Sequence, residues 1–247
     1  MSIHPLEGRV ALVSGAGHGI GAATAAELAR LGAAVALTDR PGRDLEPLGP
    51  RSFAVEADLT DPASPRHIFD AAEAALGPVE ILVNNASAGG HDSFVDGGAD
   101  AVGRTAPLLS ASTMGPLLLV DAQASALMIA ELARRSAQRG GGWGRIVGLT
   151  SGGPMGFPGE VSYGAAKAAL DNIHMSASIE LAPLGITANV VHPPVTDTGW
   201  VTDEVRAFVA RSTDHVHVAD PTEVAAFIGW LCTDESRLLT GNVLRLR

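Results

Sequence analysis

Tyr163 is the only tyrosine in this chain, and Lys167, four residues on, is the only lysine beside sixteen arginines. Random placement would give that offset about once in 250 chains of this length, so the pairing asks for a chemical reason. A free phenol has a pKa of about 10 and is a poor base at neutral pH. A nearby ammonium favours the phenolate. Titration near neutrality would take a shift of about three units, roughly 4 kcal/mol. On a helix, a four-residue offset puts both side chains on one face. Arginine is a poor substitute, because its planar fork is wider and differently aimed. The pair is a candidate proton-transfer site.

A second constellation lies near the start: Ser14-Gly15-Ala16-Gly17-His18-Gly19-Ile20-Gly21. It follows a short apolar run and precedes a helical pattern. Glycines there let the backbone turn sharply and approach a pyrophosphate. The helix N-terminus then offers free N–H groups to the anion. A tight turn needed only for packing is the plainer alternative. Asp39 ends the next apolar run, eighteen residues after Gly21. A carboxylate there accepts hydrogen bonds from both adenosine ribose hydroxyls and repels a 2′-phosphate. That favours NAD(H) over NADP(H). Arg40 and Arg43 are the counter-argument, since either could pair with a phosphate; Asp39 could also be a simple turn residue.

The elements that must position these groups alternate. Strands are expected at 9–14, 33–38, 52–56, 79–84, 145–150, 187–192 and 242–246. Helices are expected at 19–31, with Ala25, Leu28, Ala29 and Gly32 as its packing stripe, and at 65–75, 163–181, 202–211 and 221–232. One long helix should run from about 107 or 110 to 139. Residues 86–103 hold many Gly, Asp and Ser and read as loop. Such alternation predicts βαβ units, a parallel sheet covered on both faces and, with right-handed crossovers, a Rossmann-type doubly wound α/β fold of about seven strands. No fixed-period repeat or domain-sized linker divides residues 1–247, so one dinucleotide-binding and catalytic domain is expected.

Composition narrows the function classes. Hydrophobic residues make up 46% and aromatic residues 4%, which suits an Ala, Val, Leu and Ile core. A net charge of −10 argues against nucleic acid or an anionic membrane as partner. One cysteine, Cys232, cannot form an internal disulfide and fits a reducing compartment. With no signal peptide pattern and no apolar run of membrane-spanning length, a cytoplasmic location is expected.

The motifs taken together resemble the short-chain dehydrogenase/reductase family over nearly the whole chain. They are the loop Gly15–Gly21, Ala57-Asp58-Leu59-Thr60, Asn84-Asn85-Ala86, Thr150-Ser151, Tyr163-x-x-x-Lys167, Asn189-Val-Val-His-Pro193 and Leu239-Thr-Gly241. Each alone is unspecific; their order and spacing are the signal. The chain is most similar to the members that include 3-oxoacyl carrier-protein reductases and secondary-alcohol dehydrogenases. The resemblance implies an NAD-dependent oxidoreductase acting on a small alcohol or ketone, with NADP as the lesser alternative and a homodimer or homotetramer as the assembly. It implies that Gly15, Gly17, His18, Gly19, Ile20, Gly21, Asp39 and Arg40 meet the nucleotide. Asp58 and Leu59 would flank the adenine, and Asn85 and Ala86 would line the groove. Tyr163 would be the general acid/base, assisted by Lys167, which also reaches the nicotinamide ribose. Ser151 would hold the substrate oxygen. Thr198, in the segment with Pro193 and Val195, would contact the nicotinamide amide or phosphates.

Three departures from the family pattern leave alternatives open. Ser112 stands where the family places an asparagine that holds a relay water. Ser151 precedes Tyr163 by twelve residues instead of thirteen, so Thr150 competes for its role. Pro194 replaces the usual glycine, fixing φ and removing an N–H. A nucleotide-binding scaffold of the same fold, and elimination chemistry at the same Tyr–Ser pair, are the competing functions. No metal site is expected: His215 and His217 lack further ligands. His91 and Asp92 fall in the irregular loop and could touch substrate, but exposure to solvent is the plainer expectation. Met155, Phe157, Trp200 and Phe208 could wall a pocket, with core packing or a subunit contact the equal alternative.

Overall fold

The computed structural model describes residues 4–98, 100, 103–152 and 156–247. Its sheet has seven strands: β1 Val10–Ser14, β2 Ala34–Asp39, β3 Ser52–Glu56, β4 Ile81–Asn84, β5 Gly144–Leu149, β6 Ile186–His192 and β7 Val243–Arg245. Their order is β3-β2-β1-β4-β5-β6-β7, and every pairing is parallel. The helices are α1 Gly19–Arg30, α2 Ser64–Leu76, α3 Ala111–Leu117, α4 Ser125–Gln138, α5 Val161–Glu180, α6 Asp203–Arg211 and α7 Pro221–Leu231. The doubly wound expectation holds. Strand order reverses between β1 and β4, and a crevice at such a point, at the carboxyl ends of the strands, is where α/β sheets bind ligands.

Strand side chains alternate between faces, and the two faces build two cores. Ala11, Val13, Val35 and Leu37 pack with Leu28, Ile228 and Leu231 of α1 and α7. Val10, Leu12, Ala36 and Leu82 pack with Ile68, Phe69, Met128 and Leu132 of α2 and α4. Runs such as Val-Ala-Leu-Val are apolar at every position because both faces are covered. Of the expected α1 stripe, Ala25 and Leu28 are buried and Ala29 packs against the first core.

Two elements differ from expectation. β4 starts at Ile81, not Val79, because the Val79 N–H donates to Glu73 Oε1 at 3.1 Å instead of entering the ladder. The long helix is not uniform: a π-helical stretch, Leu118–Ala124, separates α3 from α4 directly after Pro116 and Leu117. Pro116 has no N–H to return to the preceding turn, and wide π turns recur at functional sites. By length and hydropathy the continuous 111–138 stretch could cross a bilayer, contrary to the expectation from sequence. It packs against α2, α5 and β4, and 44% of its apolar window is buried within the fold.

Candidate functional site

The glycine loop joins β1 to α1, and its glycines are required by contact. A Cβ on Gly21 would lie 2.0 Å from the Gly15 carbonyl oxygen. Gly15 and Gly19 have φ of +65° and +56°, and a Cβ on Gly19 would meet the Thr198 methyl at 2.9 Å. Thr198 therefore sits over the loop from the far wall of the crevice. His18 is the exposed N-cap of α1 and makes no side-chain cap bond, and the first turn carries no acid. The N-terminal N–H groups of α1 are thus left without a side-chain acceptor at the crevice. Ile20 packs against the α1/α7 core.

Asn85 supports this loop from below. Its side-chain amide donates to Ser14 O at 2.9 Å and Gly15 O at 3.0 Å. The Asn85 and Ala86 N–H groups both donate to Ser14 Oγ at 3.1 Å. Asp39, at the end of β2, accepts the Gly17 N–H at 3.0 Å and the Arg40 N–H at 2.8 Å. Arg40 and Asp58 are exposed. Asp58 accepts the backbone and hydroxyl of Thr60 at 2.9 and 2.8 Å, which holds its carboxyl below the usual range. Leu59 packs against the α2/α4 core. Across the crevice, Pro193 and Val195 are half-buried, and His192 Nε2 donates to Gly152 O at 2.8 Å.

α5 carries Tyr163, half-buried, and Lys167, 2% exposed. The Lys167 nitrogen lies 5.5 Å from the Tyr163 ring centroid. It donates to Leu149 O at 2.9 Å and is 2.9 Å from Asp121 Oδ1. Asp121 lies in the π stretch, is wholly buried, and its other oxygen accepts the Ala88 N–H at 3.1 Å. Burial alone would lower the Lys167 pKa; the Tyr163 and Asp121 oxygens outweigh it and hold the ammonium above its ordinary value. Asp171, one turn further along α5, is pushed up by burial. Phe157 packs beside Tyr163, with ring centroids 6.0 Å apart. Of the two hydroxyl candidates after β5, Thr150 is buried and Ser151 half-buried.

Asp92 corrects the expectation of exposure. It is 1% exposed, although His91 beside it faces solvent. Its Oδ1 accepts the Ser162 N–H at 2.8 Å, while Oδ2 accepts the Ser162 hydroxyl and the Thr113 hydroxyl, the latter at 2.7 Å. A loop carboxylate therefore caps the first turn of α5, which Glu160 at the N-cap position does not. Burial pushes the Asp92 carboxyl up, but these hydrogen bonds prevail and hold it low. Ser112 is exposed and meets the Ser110 hydroxyl at 2.9 Å. It lines a cavity of about 360 Å³ with Gly89, His91, Thr113, Pro116 and Leu117.

Arg104 ties the surrounding loops together. It ion-pairs with Asp100 and, at 2.9 Å, with Glu160 at the head of α5. Its guanidinium carbon lies 5.7 Å from the centroid of the Trp200 ring, beyond β6. Phe208 packs on His215, and His217 bonds Glu223 at 2.9 Å. Met155 lies outside the described residues.

His174, on the buried face of α5, was not singled out by sequence. Its Nδ1 donates to Leu170 O at 2.8 Å, and its ring fills the space that Gly148 leaves on β5. Burial lowers its pKa to about 4.

These residues fit a nicotinamide dinucleotide. The side-chain-free glycine loop and uncapped helix end suit a pyrophosphate, and Asp39 suits a ribose. Comparison with known proteins agrees. The family model described as enoyl-(acyl carrier protein) reductase matches residues 15–246. The chain is 35% identical to cis-4-hydroxycyclohexanecarboxylate dehydrogenase of Sinomonas cyclohexanicum, over 96% of this chain and 94% of that protein. It is 32% identical to the chloroplastic NADPH-dependent aldehyde reductase-like protein of Arabidopsis thaliana, over 97% and 93%. Its fold is similar to that of 3-ketoacyl-(acyl-carrier-protein) reductase from Brucella melitensis complexed with NADH, at 27% identity and a TM-score of 0.81, covering 98% of this chain and 97% of that one. From glycine loop to Tyr-x-x-x-Lys helix, the chain belongs to the short-chain dehydrogenase/reductase family, whose members are nicotinamide-dependent oxidoreductases.

Proposed function

We propose that this oxidoreductase interconverts a secondary alcohol and a ketone, with Tyr163 as the proton-transfer group and NAD(H) as the preferred cofactor. The observation that carries the reading is the placement of the one phenol on α5, half-buried, with the one ammonium buried a turn behind it. In the reducing direction, the Tyr163 hydroxyl gives its proton to the carbonyl oxygen; in the oxidising direction, it takes one from the alcohol. The Ser151 hydroxyl holds the same oxygen, a role supported by its greater exposure than Thr150. Lys167 keeps a cation beside the phenol. Bound nicotinamide supplies or accepts the hydride. Asp39 supports NAD(H), because a second anion at its carboxylate is repelled. The relatives are described with NADH in one case and NADPH in another, so the preference rests on Asp39 alone.

Residues 1–247 act, in this reading, as one domain within a homo-oligomer, in the cytoplasm. The single cysteine, free and buried, supports a reducing compartment. Exposed Ile179 on α5 and Leu118 in the π stretch support a contact between copies. No comparison supports a scaffold protein or elimination chemistry.

Titration with NADH and NADPH, then a panel of alcohols and ketones with the better cofactor, tests the reading. Tyr163→Phe is expected to lose about 10²–10⁴-fold in turnover while binding cofactor. Wild-type turnover by that variant sinks it.

A further inference from the structure

Asp121 has no counterpart among the groups assigned to the reaction, Ser112, Ser151, Tyr163 and Lys167. It is nevertheless the acid that Lys167 meets. The two charges are 2.9 Å apart, and neither side chain is more than 3% exposed. An ammonium has three N–H donors. Leu149 O takes one of them, and Asp121 Oδ1 stands in ion contact with the nitrogen. The carboxylate is fixed in turn by the Ala88 N–H, from the strand-end segment that includes Asn85 and Ala86. It reaches this position from the π turn, which breaks the α-helical register of the long helix.

We infer that Asp121 is a positioning residue: a buried counter-charge that, by offsetting the Lys167 cation, sets how readily Tyr163 ionises. The inference rests on the assignment of Tyr163 and Lys167 above and adds a third charge to it. The physical argument is a competition. A cation close to a phenol favours the phenolate, and an anion held against that cation reduces the effect. Inside protein such charges are weakly screened. The carboxylate is nearer the ammonium than the phenol ring is, 2.9 against 5.5 Å to the ring centroid. Removing it leaves Lys167 to be balanced by Tyr163 itself.

Other charged or titratable groups face the same pair. Asp171 and His174 lie on α5 itself, and Asp171 is in turn opposed by His192 of β6 and Arg245 of β7. Asp92 sits at the head of α5, and Arg104 and Glu160 pair there. Asp121 is the acid in ion contact with Lys167.

The composition of the chain supplies a direct readout. Tyr163 is the only tyrosine, so the near-ultraviolet absorbance of phenolate reports this residue and no other. Full-length protein without added nucleotide is titrated with alkali and its midpoint recorded, with circular dichroism at each pH to confirm folding. Asp121→Asn is expected to lower the Tyr163 midpoint by about one unit or more. Asp121→Ser, smaller and also neutral, is expected to do the same and serves if the asparagine variant does not fold. Asp121→Glu, which keeps the charge, is expected to restore the wild-type midpoint. A midpoint in the neutral variants equal to or above that of the wild type overturns the inference. The readout needs no turnover. A shifted midpoint without activity on any substrate defeats the assigned reaction and leaves the charge triad standing; activity with an unshifted midpoint does the reverse.

Discussion

The Asp92 carboxylate accepts the backbone N–H of Ser162, the residue next to Tyr163, at 2.8 Å. The same side chain accepts the Thr113 hydroxyl at 2.7 Å. One buried acid thus joins the head of the tyrosine helix to the head of α3. Asp92→Asn keeps one acceptor but turns the other into a donor facing two hydroxyls. It is expected to destabilise the fold by about 1–3 kcal/mol, measured by urea unfolding. Turnover is expected to fall more than cofactor affinity, because the group displaced is Tyr163. Unchanged stability and turnover would remove Asp92 from this role.

Gly21→Ala tests the glycine loop. Its Cβ would lie 2.0 Å from the Gly15 carbonyl oxygen and 2.4 Å from the Asn85 amide nitrogen. Neither neighbour is free to withdraw, since the Asn85 amide is bonded to Ser14 and Gly15. Strain of about 1–3 kcal/mol is expected, and weakening of dinucleotide binding by roughly tenfold or more. Isothermal titration with NADH measures the second.

His174 makes stability pH-dependent. Its pKa is lowered to about 4 in the folded chain by burial, against about 6.5 when unfolded. Between those values the unfolded chain binds more protons, so stability is fully present above about pH 6.5 and falls as pH drops toward 4. The loss attributable to this ring is of order 3 kcal/mol. Urea midpoints from pH 7 to pH 4.5 should fall less steeply in His174→Gln than in the wild type.

Cys232 should be silent in the folded state. Burial pushes its thiol up to about 12, and the thiolate is the reactive form. A colorimetric thiol reagent at neutral pH is expected to label it only as denaturant unfolds the chain. Prompt labelling in buffer would contradict the burial.

Much of this was legible locally. Strand runs, the glycine loop, Asp39 and the Tyr163–Lys167 offset depend on residues near in sequence, and periodicity exposes them. Asp121, Asp92 and His174 were not. Asp121 stands in an apolar helical run, and only the π turn and a lysine on another helix give it an inward destination. Asp92 lies among glycines and serines without period, and its burial is set by Ser162 and Thr113. His174 occupies the hollow left by Gly148, on an element far away in the chain. Such positions are defined by a partner, and a single sequence does not name partners.

Arg104 couples two segments that flank the sheet's carboxyl end. It spans from Glu160, at the head of the tyrosine helix, to the indole of Trp200 beyond β6. A molecule that presses the indole aside works against the same guanidinium that braces Glu160. Displacing that indole would therefore also disturb the pairing at the first turn of α5.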